Sequence, residues 1–266
     1  MSDRLLSIKD LNIAYGDQAV PTVENFDLEA GHSEIISIVG ESGSGKTSVI
    51  RAIMGLLPSG GKVTGGEILF QGRSLLSLSK EEWRDLRGTD ISMIFQDSRS
   101  MIDPIRKIGT QFVEYIRTHE PMSKAAAYQR GLEMLEKMKL ADAKNIMESY
   151  SFQLSGGMCQ RVGIAMAMVF SPKLLLADEP TSALDVTIQA QIVRQIMELR
   201  DRFNTSVMIV THNIGVAAYM ADQMIVMQNG KIVDRGTRDE VMKDPASDYT
   251  KSLLDAVPEL GGRRYV

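Results

Sequence analysis

Gly40-Glu41-Ser42-Gly43-Ser44-Gly45-Lys46-Thr47 fits the pattern G-x-x-x-x-G-K-[ST] at every fixed position. Immediately before it runs Glu34-Ile35-Ile36-Ser37-Ile38-Val39, apolar and β-branched, which reads as a buried strand. After it, Val49, Ile50, Ile53, Met54 and Leu57 recur at helical spacing. Strand, glycine loop and helix are the setting this motif requires. Glycines let successive N–H groups turn inward toward phosphate oxygens, and the helix start adds the positive end of its dipole. Lys46 is placed to meet β- and γ-phosphate charge, and the Thr47 hydroxyl to ligate Mg²⁺. At glycine's usual share, a chance match in such a chain has odds of roughly one in a hundred. The stretch Gly40 to Thr47, with Ser48 behind it, is therefore the candidate nucleotide cradle.

Working outward, 266 residues suffice for one large domain with a substantial core. A net charge of -4 without a long basic run argues against a nucleic-acid surface, and Arg263-Arg264 reads as a solvated end. One cysteine, Cys159, excludes an internal disulfide framework and points to a reducing, cytosolic compartment. Met1-Ser2-Asp3-Arg4 lacks the apolar core of a signal peptide. The longest apolar run, Gly163 to Phe170, is too short to span a bilayer, so work at a membrane would leave the spanning to another chain.

Ahead of the loop, residues 6–15 and 23–28 alternate as antiparallel strands do. Tyr15, at the end of the first, stands where an exposed ring can stack on a purine or simply be half-buried. Gly65-Gly66 and Gln71-Gly72 bracket a short strand at residues 67–70, and Ser79-x-x-Glu82 is a capping box. Residues 91–95 form a buried strand ending at Gln96. From there to about Tyr150 the pattern is helical: Ser123 opens a helix with Tyr128, Leu132, Leu135 and Met138 on one face, read as core. Met101, Ile102, Pro104 and Ile105 show no strong helical period, as expected of an exposed docking loop; internal packing is the competing reading.

Leu154-Ser155-Gly156-Gly157 opens another helix, a second anion-binding N-terminus, with Val162, Ala165, Met166 and Val169 facing inward. Leu174-Leu175-Leu176-Ala177-Asp178-Glu179 is a buried strand ending in two carboxylates. Neighbours on a strand point to opposite sides, so Asp178 and Glu179 are expected to divide their roles: one toward Mg²⁺, the other toward the attacking water. Asp185 precedes a helix with Ile188, Ile192, Val193, Ile196 and Leu199 at core spacing. Residues 207–211 form a strand presenting His212 where α/β folds place ligand contacts. His32 and His119 read as surface residues. Asn229-Gly230 signals a type I′ hairpin, and Thr237-x-x-Glu240 caps a terminal helix.

In this order the glycine loop, Gln96, Leu154 to Gly157, Asp178-Glu179, Asp185 and His212 resemble an ABC-type ATPase cassette over nearly the whole chain. The resemblance implies an α/β P-loop NTPase with a RecA-like core, an antiparallel β subdomain and a helical subdomain. The expected division is a single domain, 1–266: core plus β subdomain at 1–96 and 161–235, helical subdomain with signature loop at 97–160, and a tail at 236–266. It also implies ATP and Mg²⁺. Tyr15 would stack on adenine; Gly40, Glu41, Ser42, Gly43, Ser44, Gly45, Lys46, Thr47 and Ser48 would hold phosphates. Thr47, Asp178 and Gln96 would serve Mg²⁺, Gln96 sensing the γ-phosphate as well. Glu179 would be the general base and His212 a γ-phosphate contact, completing a catalytic set with Lys46 and Gln96. Ser155, Gly156 and Gly157 would act on the ATP of a second cassette, with Asp185 crossing the interface.

The finer resemblance is to the ATPases of peptide and nickel importers. It is carried by Phe95-Gln96-Asp97, Gly157-Met158-Cys159-Gln160-Arg161, the run from Ser182 to Gln191, and Tyr249-Thr250-Lys251-Ser252-Leu253-Leu254. Three departures stand out: Ser247-Asp248 where members usually carry His-Pro, Phe152 where many have His, and an end at Val266 where peptide importers often continue into a cysteine-bearing tail. The short end leans toward nickel- or metallophore-type members. The implied partners are two transmembrane permeases, a second related ATPase (heterodimer preferred over homodimer), and, indirectly, an extracytoplasmic binding protein, with no nucleic acid. The implied place is the cytoplasmic face of the membrane, held peripherally. A soluble cassette of a phosphonate-degrading complex is the alternative, since it would share every catalytic residue; an unrelated P-loop kinase or GTPase has no need of Leu154 to Gly157.

Overall fold

The computed structural model describes residues 4–16, 20–182, 184–256, 259–260 and 263–264, so the readings of Met1 to Asp3, of Ala183 and of the last residues lie outside it. The chain begins with β1 (Leu6–Tyr15) and β2 (Val23–Ala30), an antiparallel pair with alternating burial. β3 (Ile35–Val39) is buried at every residue, the mark of a strand covered on both faces. It feeds α1 (Lys46–Ile53), which turns Val49, Ile50, Ala52 and Ile53 inward.

β4 (Gly61–Phe70) is ten residues long, not the short strand expected at 67–70, because Gly65 and Gly66 lie inside it. β1 bulges opposite them, where Asp10 has φ 46 and the register shifts between Lys9 and Asn12. A Cβ on Gly66 would sit 2.3 Å from the Asp10 carbonyl oxygen, so the bulge closes only over glycine. β5 (Arg73–Ser74) follows, then α2 (Lys80–Leu86) with the Ser79–Glu82 capping box, and β6 (Ile91–Ile94).

A helical run comes next: α3 (Ser98–Met101), α4 (Ile108–His119), α5 (Lys124–Lys137), α6 (Ala143–Glu148) and α7 (Gly156–Met168). Ser123 caps α5, and the expected core face holds: Leu135 and Met138 are fully buried and Tyr128 and Leu132 pack half-buried against the same core, which also takes in Ala127, Gly131 and Met134. Gly131 sits where the two helices meet. A Cβ there would lie 3.0 Å from the Phe112 ring, so α4 and α5 approach over a residue that carries no apolar signal.

β7 (Leu174–Asp178), α8 (Val186–Phe203), β8 (Ser206–Thr211), α9 (Ile214–Met220), β9 (Gln223–Gln228) and β10 (Lys231–Thr237) complete the main sheet. The β9–β10 turn is the expected type I′, with Asn229 at φ 49 and Gly230 at φ 80. The helix capped by Thr237 and Glu240, α10 (Arg238–Lys243), is not terminal: α11 (Asp248–Asp255) follows, then the paired β11 (Glu259–Leu260) and β12 (Arg263–Arg264).

Two sheets result. One is antiparallel, β2-β1-β4-β5; the other has the order β10-β9-β3-β8-β7-β6, parallel except for β10. One core fills the space between the sheets and around α1, a second lies under α4 to α8, and a third joins the end of β3 to α9, α10 and α11. The parallel register brings the C-terminal ends of β3, β6, β7 and β8 to one edge, where α/β sheets bind ligands. No helix among the described residues is long and apolar enough to cross a membrane.

Candidate functional site

The glycine loop leaves β3 into a tight space. A Cβ on Gly40 would lie 2.2 Å from the Met227 carbonyl oxygen, and one on Gly45 (φ 99) would lie 2.9 Å from that of Thr22. Only glycine lets the loop close here. Lys46 is 4% exposed, its Nζ donating to the carbonyls of Gly40 (2.7 Å) and Glu41 (2.6 Å) and to Ser44 Oγ (3.3 Å). Burial lowers its pKa, opposed by the charges of Glu179, Asp178 and Glu41. The ammonium thus rests on loop carbonyls within the site.

Next along α1, Thr47 Oγ1 donates to Asp178 Oδ1 at 2.9 Å, linking the loop to the end of β7. Asp178 is 4% exposed, and burial raises its pKa against the opposing pull of the Thr47 hydrogen bond and Arg51. Ser48 Oγ lies 3.0 Å from Tyr15 OH, so of the two readings of this ring the half-buried one holds, against α1 and Gly61.

Glu179 does not continue β7, and the expected alternation of the two carboxylates across one strand does not apply. It takes up the left-handed conformation, φ 45, with its N–H donated to Val210 O at 2.9 Å. A non-glycine residue there costs about 1–3 kcal/mol. The turn swings the carboxylate into the cleft. Gln96 Nε2, beyond β6, donates to Glu179 Oε2 at 3.2 Å, and His212 Nδ1, beyond β8, lies 3.3 Å from the same oxygen. Gln96 also reaches Ser182 Oγ at 3.4 Å, a contact that no sequence pattern announced.

The structure thus brings Tyr15, Gly40 to Ser48, Gln96, Asp178, Glu179 and His212 into one cleft. Ser155, Gly156, Gly157 and Asp185 form a separate group. Ser155 caps α7 by accepting from Met158 N at 3.3 Å, and Asp185 caps α8 by accepting from Ile188 N at 3.0 Å. Side chains of α8 and the turn before it are the nearest neighbours of the two glycines: Leu184 for Gly156, Ile188 for Gly157. Among the described residues, no hydrogen bond joins this group to residues 40–48. Beside it Phe152, 60% exposed, stacks on Tyr150.

Two expectations outside the cleft are corrected. Ile102 is 2% exposed and packs in the core, whereas Met101 and Ile105 are exposed at 59% and 83%, so the loop at 101–105 divides between the two readings. It borders a groove of about 730 Å³ that reaches Phe95, Arg106 and Tyr115. His119 is not a plain surface residue: its ring meets Tyr115 and Phe170 edge-on, and burial lowers its pKa. Tyr249, legible in the sequence only as part of a family-like string, places its hydroxyl 2.9 Å from the Glu41 backbone nitrogen.

The ABC transporter family matches residues 23–182. Among relatives, the oligopeptide transport ATP-binding protein OppD of Bacillus subtilis is 46% identical over 97% of this chain and 73% of its own length. OppD of Escherichia coli is 43% identical over 97% of this chain and 77% of its own. The probable peptide ABC transporter ATP-binding protein y4tR of Sinorhizobium fredii is 43% identical over 97% and 78%. Among solved structures, the dimeric post-hydrolysis ATP-binding cassette MJ0796 bound to ADP and Pi superposes with a TM-score of 0.76 at 27% identity, covering 88% of this chain and 98% of that one. cbiO1 of Clostridium perfringens, part of the cbiONQ complex, gives 0.79 at 25% identity over 91% and 92%.

Proposed function

The chain belongs to the ABC transporter family and is an ATPase, and we propose that it is the ATP-binding subunit that powers import of di- or oligopeptides. The relatives described above are named as ATP-binding proteins of peptide transport, which favours peptides over nickel or metallophore cargo and over a soluble phosphonate-degrading complex.

The observation that carries the chemistry is the convergence of Gln96 and His212 on Glu179, beside the Lys46 loop and the Thr47–Asp178 pair. Thr47 Oγ1 and Asp178 Oδ1 are hard oxygen donors, as few from the protein as Mg²⁺ takes when phosphates fill its other positions. Mg²⁺ held there supplies neutralisation of phosphate charge. Lys46 moves its ammonium from the carbonyls of Gly40 and Glu41 to the β- and γ-phosphates. The N–H groups of the loop bind the phosphate oxygens, and Tyr15 offers its ring to the adenine. Glu179 accepts a proton from the attacking water, oriented from either side by Gln96 and His212. Nothing here needs a covalent enzyme intermediate; positioning and charge do the chemistry.

The separation of Ser155 to Gly157 and Asp185 from the cleft supports a site completed by a second cassette, either a related ATPase or another copy. The dimeric form of MJ0796 bears the same way. In this reading the helical block at 97–160 turns with ATP binding. Two permease subunits dock in the groove beside Met101 and Ile105, holding the protein peripherally at the cytoplasmic face, and an extracytoplasmic binding protein delivers cargo to them. The test is phosphate release by the complex reconstituted in vesicles. A mixture of short peptides with binding protein stimulates release, and nickel chelates do not. Stimulation by nickel chelates alone overturns the peptide assignment.

A further inference from the structure

The peptide unit joining Gly40 to Glu41 is gripped at both ends. On its carbonyl side, Gly40 O accepts from Lys46 Nζ at 2.7 Å. On its amide side, Glu41 N–H is donated to Tyr249 OH at 2.9 Å, across 208 residues of sequence. The first grip comes from inside the loop; the second comes from α11, near the far end of the described chain.

α11 has a firm seat. Asp234 of β10, 8% exposed, accepts from the backbone nitrogens of Ala246 (2.8 Å) and Ser247 (3.3 Å). Ser247 caps the helix, accepting from Thr250 N at 3.0 Å, with the two hydroxyls 2.8 Å apart. Thr250 is fully buried and Leu254 is 1% exposed, the latter in the core cluster that contains Val39, the residue before Gly40. Ser247 and Asp248, which depart from the pattern of similar chains, are therefore a sound helix start: a capping hydroxyl followed by a carboxylate in the first turn. The tyrosine hydroxyl is delivered by a helix anchored to the same strand end that launches the loop.

We propose that Tyr249 is a positioning residue for ATP binding: by holding the Glu41 N–H it fixes the plane of the Gly40–Glu41 peptide, and with it the loop that Lys46 spans. Resting on the ATP-binding reading above, it makes α11 part of the nucleotide site although it touches no reacting atom. When Lys46 leaves the Gly40 carbonyl for phosphate, the Tyr249 bond remains to keep the loop in shape. Without the hydroxyl, the exposed Glu41 amide turns to water and ATP must order the loop itself, which weakens binding. Turnover of bound ATP is spared, because Glu179, Gln96 and His212 hang from other strands.

Tyr249→Phe in the full chain removes the hydroxyl and keeps the ring. The expected results are faster hydrogen exchange at the Glu41 amide in the nucleotide-free protein, ATP affinity about three- to tenfold weaker, and an unchanged kcat. The faster exchange is confined to the glycine loop, and the amides of α11 keep wild-type protection; a merely structural tyrosine would instead loosen α11 itself, even if Tyr249→Phe lowers the melting temperature. Unchanged Glu41 exchange overturns the proposal, as does wild-type ATP affinity whatever the exchange rate. Failure of the wild-type protein to bind ATP would instead remove the ATP-binding reading itself.

Discussion

Glu179 Oε2 and His212 Nδ1 lie 3.3 Å apart, across the ends of the adjacent parallel strands β7 and β8. The contact depends on the left-handed turn at Glu179, which takes the carboxylate out of the strand's alternation and into the cleft. His212→Ala therefore lowers kcat on the order of 10²-fold, the scale of losing one aimed donor, while ATP affinity changes little. Loss of affinity with preserved kcat in a steady-state titration would place His212 in nucleotide binding alone.

Asp178 supplies a pH prediction. Burial raises its folded pKa, whereas the unfolded carboxyl titrates near 3.9. Between these values the folded state binds more protons, so this group's contribution to stability falls as pH rises through the window, and the cost persists at neutral pH. Asp178→Asn keeps an acceptor for Thr47 and removes the cost. The nucleotide-free variant melts at or above wild type at neutral pH, the difference narrowing below about pH 4, and the further rise given by Mg²⁺ and ATP is lost. A lower neutral-pH melting temperature without nucleotide contradicts this.

The groove beside residues 101–105 calls for a pair of variants. Ile102→Asp buries a carboxylate in the core and destabilises by several kcal/mol, visible in thermal melts of the isolated chain. Ile105→Asp folds and hydrolyses ATP as wild type does, but fails to drive uptake in the assembled complex. Normal uptake by Ile105→Asp moves the docking site elsewhere.

A cleft completed by a second chain makes turnover depend on encounter. Phosphate release per chain rises with protein concentration, or on addition of the partner ATPase, and Ser155→Arg abolishes the rise while a single chain still binds ATP. A rate independent of concentration in a monomeric sample contradicts the two-chain site.

The order of the site was legible because its members stand at strand ends, where a buried apolar run stops and polar residues begin: Lys46 and Thr47 after β3, Gln96 after β6, Asp178 in β7, His212 after β8. What escaped the sequence was set by contacts between distant segments. The Gly66 bulge exists because Asp10 opposes it; the buried face of α5 passes through Gly131 because Phe112 lies across from it. Met101, Ile102 and Ile105 read alike as apolar, yet Ile102 turns into the core and Ile105 away from it. Tyr249 bonds a residue 208 positions earlier, beyond the reach of any local pattern.

The most direct measurement compares Glu179→Gln with Lys46→Ala for bound nucleotide and released phosphate on the same preparations. Glu179→Gln removes the proton acceptor but no phosphate contact, so it binds ATP as wild type does and releases phosphate about 10²- to 10⁴-fold more slowly. Lys46→Ala loses the ATP itself. Near-normal phosphate release by Glu179→Gln would contradict the account, because the carboxylate on which Gln96 and His212 converge would then have no part in hydrolysis.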